Sequence, residues 1–187
     1  SLFYAIMGLP LARIADHGNR RNLIAAGIAV WSAMTAICGL ARSFWGLFLG
    51  RVGVGVGEAT LGPAAYSMIS DYFPRSQLGR ALSVYTMGVT IGSGLAYMGG
   101  GAVVNYVSAM GQISLPVLGN VHGWQLTFFI VGLPGIAVSL LMLFTVREPI
   151  RRGLVEASGD NLPIRKVIDY LWQRRAAYGA HIFGVSI

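Results

Sequence analysis

Two charged residues, Arg51 and Glu58, lie deep within a segment, residues 44–70, whose other side chains carry no charge. Placing one charge in the middle of a hydrocarbon layer costs about 3 kcal/mol on membrane-insertion scales, so such residues usually have a function. A guanidinium binds carboxylate or phosphate through two parallel hydrogen bonds. A carboxylate in apolar surroundings can exchange a proton. The pair therefore predicts an anion-binding group and a proton-exchanging group on one segment.

The spacing of Arg51 and Glu58 restricts how they interact. Seven residues place both on one face of a helix, about 10 Å apart along its axis, which is too far for simple pairing. Each needs another partner. A structural interpretation stays open for both: Glu58 locks two helices in a fixed ion pair, and Arg51 is the permanent counterion of an acid on another helix.

The elements that must position this pair are long apolar segments. The chain is 55% hydrophobic and 11% charged. Crossing about 30 Å of hydrocarbon takes roughly 20 helical residues. We predict an all-α membrane protein with four complete spans, 22–41, 44–70, 81–104 and 124–146. Partial spans flank them at 2–14 and 176–187, so the ends of the sequence look like cuts.

The basic residues are sorted to one side of these spans. The formal charge is +7, from fourteen Lys and Arg against seven Asp and Glu, which invites a nucleic-acid hypothesis. With the exception of Arg42, however, all basic residues outside the spans lie in connections on one side of the membrane. The positive-inside rule makes that side cytoplasmic. These residues are Arg13, Arg20, Arg21, Arg75, Arg80, Arg147, Arg151, Arg152, Arg165, Lys166, Arg174 and Arg175. The charge therefore reports membrane topology, and no nucleic-acid partner is predicted.

The sequence offers little for catalysis or metal binding. Cys38 is the only cysteine, and His17, His122 and His181 are scattered over both sides of the membrane. The glycine run 53–57 ends in Glu58 where a dinucleotide-binding loop requires glycine. No nucleophile–base pair is recognisable. We therefore predict no cofactor, no metal and no enzymatic activity.

Glycines and one proline predict how the spans pack and bend. Gly53 and Gly57, and likewise Gly88 and Gly92, have the four-residue spacing of small residues at close helix–helix contacts. Pro63 removes a backbone donor and predicts a bend, either a hinge or a simple kink.

Two mixed-charge groups lie on the cytoplasmic side. They comprise Asp16, Arg20 and Arg21 in one connection, and Asp71, Arg75 and Arg80 in the next. We predict that Asp16, Arg20, Arg21, Asp71 and Arg80 pair across this face as a gate that opens and closes. The alternative is that they are solvated loop charges.

Residues 1–146 form the predicted transmembrane bundle, and residues 147–175 form a cytoplasmic linker. Pro163 opens a predicted amphipathic helix in this linker, whose apolar residues recur at helical spacing. They are Ile164, Val167, Ile168, Leu171 and Trp172. The helix either lies in the inner membrane interface or packs on the bundle. Residues 176–187 begin another span.

Several motifs resemble those of one transporter superfamily. Residues 12–21 are similar to the loop signature Gly-x-x-x-Asp-Arg-x-Gly-Arg-Arg of the major facilitator superfamily, although Ala12, His17 and Asn19 depart from it. The segments 50–59, 69–74, 91–97 and 147–149 resemble spinster-like and related organic-anion transporters. The resemblance runs from late helix two to the start of helix seven, which implies an incomplete N-terminal six-helix bundle of a twelve-helix fold.

That resemblance implies a secondary active transporter that moves a small organic anion or lipid-like amphiphile by alternating access, coupled to protons through Arg51 and Glu58. The implied partners are the lipid bilayer, the substrate, protons, and the missing helix one and C-terminal bundle of the same protein. The implied location is a bacterial inner membrane. Two alternatives stay open: an anion symporter for sugar acids such as hexuronates, toward which the position of Pro63 points, and a membrane assembly subunit that transports nothing.

Overall fold

The computed structural model describes residues 2–109, 113–115, 119–151, 169–170 and 172–177. Two compact units, Ser1–Arg152 and Gly153–Ile187, divide the chain. The helices of the first unit are α1 (Leu2–His17), α2 (Arg20–Cys38), α3 (Phe44–Glu58), α4 (Leu61–Tyr72), α5 (Arg75–Ala109) and α6 (Gly123–Thr145). Strands β1 (Ile113–Leu115) and β2 (Gly119–Val121) form a small antiparallel hairpin between α5 and α6.

The described helices confirm the predicted all-α class, with the short hairpin as a local addition. Three of them, α2, α5 and α6, are long and apolar enough to cross a membrane. They correspond to the predicted spans 22–41, 81–104 and 124–146. Helix α5 starts earlier than predicted, at Arg75 immediately after Pro74, and extends for 35 residues.

The predicted span 44–70 is not one helix in the structure. It consists of α3 and α4, which are separated at Ala59 and Thr60. Pro63 explains the break, because it has no N–H to donate to the carbonyl of Ala59 and its ring crowds that carbonyl. The Thr60 N–H and hydroxyl both donate instead to the carbonyl of Gly57, at 3.3 and 2.8 Å. Pro63 then sits in the first turn of α4, where proline is tolerated.

Glycines bring α3 against α2. A Cβ placed on Gly57 would lie 2.7 Å from the backbone nitrogen of Trp31, and one on Gly53 would lie 2.6 Å from Cγ of Met34. Gly27 of α2 faces the break itself, because a Cβ there would lie 1.8 Å from the hydroxyl oxygen of Thr60. Such approach of two backbones requires residues without side chains. Gly53 and Gly57 therefore lie in a helix–helix contact.

Small residues also join α2 to α6 on another face of α2. A Cβ on Gly132 would lie 2.8 Å from the backbone nitrogen of Ala36. Further along α6, the Ser139 hydroxyl donates to the carbonyl of Ala25 at 2.7 Å. Helix α2 is thus the central helix of the described bundle, with α3 and α6 both packed closely on it.

Gly88 and Gly92 of α5 have a different environment. Apart from the glycine, its chain neighbours and the adjacent backbone of α5, no atom of the described residues lies within 4 Å of a Cβ built at either position. Their neighbours Met87, Val89 and Ile91 are more than half exposed. Within the part of the chain that the structure describes, this glycine face has no packing partner, so its role in packing stays a prediction.

The second unit is described only at residues 169–170 and 172–177, which are mostly helical. The guanidinium carbon of Arg174 lies 4.8 Å from the ring centroid of Tyr170, and that of Arg175 lies 5.3 Å from the ring of Trp172. The predicted helix start at Pro163, its apolar residues before Trp172, and most of the predicted span 176–187 lie outside the described residues.

Candidate transport site and the Arg20 cluster

Arg51 and Glu58 project from α3 on a different side from the glycines that contact α2. Each directly follows a buried glycine, Gly50 or Gly57, that faces α2. One residue of α-helix corresponds to a rotation of about 100°, which turns both charged side chains away from that contact. Both side chains are exposed in the described bundle. The seven-residue spacing places them on a common face of α3, as the sequence predicted.

Arg51 contacts an aromatic ring. Its guanidinium carbon lies 5.0 Å from the centroid of the Phe128 ring on α6. A cation over an aromatic face within about 6 Å is attracted by the negative potential of the ring. Among the described residues, no carboxylate lies within ion-pair distance of Arg51. The guanidinium is therefore held without being neutralised.

Glu58 is the last residue of α3 and directly precedes the break at Ala59 and Thr60. In the described part of the chain, its carboxylate makes no hydrogen bond or ion pair. The structure thus places an accessible carboxylate at the point where the backbone of the predicted span changes from one helix to the next. An accessible carboxylate can accept a proton or a cationic partner.

A second group of charges surrounds Arg20, the first residue of α2, whose side chain is 1% exposed. Its guanidinium donates to Asp71 at 2.5 Å, to Glu148 at 2.8 Å and to the Ser67 hydroxyl at 2.8 Å. A further contact reaches the carbonyl of Pro149 at 3.3 Å. We call Arg20, Ser67, Asp71 and Glu148 the Arg20 cluster. A buried guanidinium is stable only when its donors are satisfied in this way.

Local structure at three helix ends explains the Arg20 cluster. Asn19 caps α2 by accepting the Asn22 N–H at 2.8 Å, which fixes where Arg20 emerges. Asp71 lies one residue before the end of α4, and Glu148 follows the end of α6. The Glu148 carboxylate also accepts the backbone N–H of Arg21 at 2.8 Å. This position is favourable because the N-terminal end of a helix attracts negative charge.

The segment after α6 makes further contacts with the same helix ends. The Arg151 guanidinium donates to the carbonyls of Ala15, in the last turn of α1, at 2.9 Å and of Gly18, just after α1, at 2.7 Å. The Tyr72 hydroxyl donates to the carbonyl of Arg147. Residues 147–151 thus belong to the first compact unit, although the sequence assigned them to the linker.

The structure separates the predicted gate residues. Arg20 and Asp71 lie together in the cluster. Arg21 contributes its backbone N–H, while its guanidinium turns toward Asn22, at 3.1 Å from Oδ1. Asp16 and Arg80 are exposed and contact neither the cluster nor any other charge among the described residues.

Sequence reasoning did not identify Glu148, Ser67 or Arg151 as partners of these charges. The one available signal was the Arg-Glu-Pro run directly after the span 124–146, which places a carboxylate beside the membrane on the same side as Arg20. Its partner could not be read from the sequence, because Arg20 lies 128 residues before Glu148.

No group of three or more His, Cys, Asp or Glu side chains that could hold a metal ion occurs among the described residues. The recognisable chemistry of this bundle consists of one exposed charged pair on a broken helix and one buried charge cluster at the helix ends. Three helices among the described residues are long and apolar enough to cross a membrane. These features define an integral membrane protein.

The whole chain, residues 1–187, matches the sequence profile of the Major Facilitator Superfamily. The chain belongs to this superfamily. Its all-α fold and its motifs are similar to those of spinster-like members, as the sequence predicted.

Two curated relatives and one solved structure illustrate the similarity. The chain is 34% identical over 163 residues to protein spinster homolog 1 of Homo sapiens, which covers 86% of this chain and 28% of that protein. It is 29% identical over 161 residues to a probable L-galactonate transporter of Escherichia coli K12, covering 83% and 32%. A crystal structure of a bacterial homolog of the human lysosomal transporter Spinster, inward-facing and unoccupied, matches with 42% identity and a TM-score of 0.65, covering 88% and 36%.

The chain therefore spans about a third of the length of these relatives. Those named by activity are transporters, in agreement with the prediction that the chain is not an enzyme.

Proposed function

We propose that this chain is part of a secondary active transporter that moves a small organic anion or amphiphile by alternating access, coupled to protons. The observation that carries the proposal is the state of Arg51 and Glu58. Both are exposed on one face of α3, and in the described bundle neither is ion-paired. A permanent helix lock within this bundle would have shown them paired. Charged residues inside a membrane-spanning segment typically mark substrate and proton pathways.

The proposed role of Arg51 is to bind the anionic group of the substrate. A guanidinium offers two parallel donors to one carboxylate or phosphate. The similarity to a probable L-galactonate transporter supports a carboxylate substrate, and the similarity to spinster homologs leaves an anionic amphiphile as the other class.

The proposed role of Glu58 is proton exchange. Its protonation would change the charge on a helix face that also carries Arg51, and so would shift the preference between inward-open and outward-open states. Its position immediately before the α3–α4 break supports this role, because broken helices line the substrate sites of many transporters.

The proposed role of the cytoplasmic charges is divided between two groups. The Arg20 cluster fixes the ends of α2, α4 and the segment after α6 relative to one another. The exposed Asp16 and Arg80 remain available to a surface beyond the described residues, whereas the half-buried Arg21 guanidinium donates to Asn22 and to the carbonyl of Val146. We assign the closing of the gate to these exposed side chains, supported by the fixed frame of the Arg20 cluster.

We place the protein in a bacterial inner membrane with its linker in the cytoplasm. Two observations support this: the basic residues follow alternate spans, and both a bacterial transporter and a bacterial Spinster homolog are similar to the chain.

Uptake by the full-length protein in proteoliposomes tests the proposal. An inward proton gradient would be imposed, and accumulation of L-galactonate and of lysophosphatidylglycerol would be measured for the parent, Glu58→Gln and Arg51→Gln. We expect gradient-driven uptake of one anion, lost in both variants. Arg75→Gln is the control, because Arg75 is exposed and lies outside both the pair and the gate. Uptake unchanged in both variants would reduce the pair to structure, and correctly folded protein that carries neither anion would favour an assembly subunit.

A further inference from the structure

We propose that Phe128 is a positioning residue that holds the guanidinium of Arg51 against its ring and thereby presents the guanidinium to the anionic substrate. This inference rests on the proposed function of Arg51. Phe128 lies on α6 and Arg51 on α3, with a distance of 5.0 Å from the guanidinium carbon to the ring centroid. The contact therefore joins two helices that both pack on α2.

Two glycines near the end of α2 make this reach possible. A Cβ on Gly50 of α3 would lie 2.6 Å from Sγ of Cys38, the last residue of α2. A Cβ on Gly39, the next residue, would lie 2.7 Å from the carbonyl oxygen of Gln125 and 2.9 Å from the Phe129 ring. Helices α3 and α6 thus approach the same end of α2, so that one arginine side chain spans the distance between them.

The Phe128 ring is itself held in orientation. Trp124, one turn earlier on α6, packs edge to face with Phe128, with ring centroids 6.1 Å apart and an interplanar angle of 89°. Residues four apart on a helix are neighbours, so this contact is local and does not depend on Arg51. Such edge-to-face pairs are a preferred aromatic geometry. The ring is therefore available as a fixed surface for the guanidinium.

An aromatic partner suits a binding arginine better than a carboxylate partner does. A carboxylate would occupy the in-plane N–H donors of Arg51, which are the donors that an anionic substrate needs. An aromatic ring engages the flat face of the guanidinium and carries no charge, so the donors stay open. The ring also holds Arg51 toward α6 and therefore limits its excursions toward Glu58, seven residues further along α3.

The test uses the full-length protein in the proteoliposome assay, with L-galactonate and lysophosphatidylglycerol as probes. Phe128→Leu removes the ring, and Phe128→Met provides a second aliphatic variant of similar volume. Phe128→Tyr keeps the aromatic face. The matched control is Phe129→Leu, because Phe129 is the adjacent phenylalanine and its ring packs at Gly39. We expect KM to rise about fivefold to tenfold in the leucine and methionine variants while kcat stays within about twofold.

A merely structural role for Phe128 predicts a different pattern. It would lower kcat or the amount of folded protein in the leucine variant and would leave the KM of the folded fraction unchanged. The positioning role also requires that Phe128→Tyr restore KM to within about twofold of the parent, because tyrosine presents a similar face. It further requires that Phe128→Leu raise KM less in an Arg51→Lys background than in the parent, because the compact ammonium lacks the flat guanidinium face.

The outcomes separate this inference from the proposed function. Uptake lost in Arg51→Gln together with parental KM in both aliphatic variants at position 128 would overturn the positioning role and leave the transport proposal standing. Uptake indifferent to Arg51→Gln would overturn the positioning role and the proposed role of Arg51 in substrate binding, while transport itself would stand. An equal rise of KM in Phe129→Leu would also overturn the positioning role, because the effect would then be a general one of α6 packing.

Discussion

The guanidinium of Arg20 lies 2.5 Å from the carboxylate of Asp71, and both side chains are almost fully buried, at 1% and 7% exposure. The pair joins the first residue of α2 to the last turn of α4, across 51 residues of sequence. Glu148, after α6, completes the coordination of the same guanidinium. Three helix ends therefore depend on one buried arginine.

We expect Asp71→Asn to destabilise the protein by about 3 kcal/mol, because it leaves part of the Arg20 charge buried without its counterion. The asparagine amide retains the shape of the carboxylate and one acceptor oxygen, so the decrease in the free energy of unfolding reports the loss of the negative charge. The measurement is the thermal unfolding midpoint of the full-length protein in detergent. Arg80→Gln is the control, expected within about 0.5 kcal/mol of the parent because Arg80 is exposed. Equal midpoints for the two variants would contradict the assigned burial.

Glu148→Gln should cost less than Asp71→Asn, about 1 to 2 kcal/mol. The Glu148 side chain is 22% exposed, so water screens part of its interaction with Arg20. A glutamine oxygen can still accept one of the two hydrogen bonds that Glu148 receives from Arg20 and Arg21. The same unfolding assay gives the order of the two variants. A larger loss for Glu148→Gln would mean that the exposed carboxylate, and not the buried one, balances Arg20.

Gly57→Ala should separate α3 from α2 and destabilise the protein by about 1 to 3 kcal/mol. The added Cβ would lie 2.7 Å from the Trp31 nitrogen and 2.8 Å from the Gly27 carbonyl oxygen, which are backbone atoms that cannot move aside independently.

Gly79→Ala is its matched control, since no atom of the described residues lies within 4 Å of the new Cβ. Here helix propensity alone applies and should stabilise α5 by up to about 1 kcal/mol. The two unfolding midpoints should shift in opposite directions. A similar decrease of the unfolding midpoint in both variants would show that another part of the protein packs against α5 at Gly79.

Pro63→Ala restores an N–H that can donate to the carbonyl of Ala59, so we expect α3 and α4 to merge across Thr60. The unfolding midpoint should rise, but by less than the about 3 kcal/mol that proline costs in a helix interior, because Pro63 already lies in the first turn of α4. If the break after Glu58 serves transport, uptake should fall at the same time, in the proteoliposome assay described above. A more stable variant with unchanged uptake would make the break a kink without a role in transport.

The sequence by itself determined the class of this protein and most of its helices. Crossing a membrane requires one continuous apolar helix of about 20 residues. Such a span can be recognised from consecutive residues alone, without knowledge of the tertiary structure. The spans 22–41 and 124–146 therefore agree closely with α2 and α6. The loop motif 12–21 and the motif around Arg51 and Glu58 were sufficient to indicate the superfamily, which the match over residues 1–187 shows.

The sequence predicted the break in the span 44–70 only in part. Pro63 predicted a bend, but hydropathy continues across it, so the segment appeared as one span. The position of the break depends on the missing hydrogen bond to Ala59 and on Thr60, which contacts both its own helix and Gly27.

Only the tertiary structure decided the partners of the charges. Charge alone does not distinguish Arg20 and Asp71 from the other predicted gate residues, Asp16, Arg21 and Arg80. In the described residues, Arg20 and Asp71 form the buried pair. The contact between Arg51 and Phe128 likewise joins residues 77 positions apart on helices that meet at the end of α2. Charge, hydropathy and spacing are properties of neighbouring residues, whereas partners are set by the packing of helix ends that lie far apart in the chain.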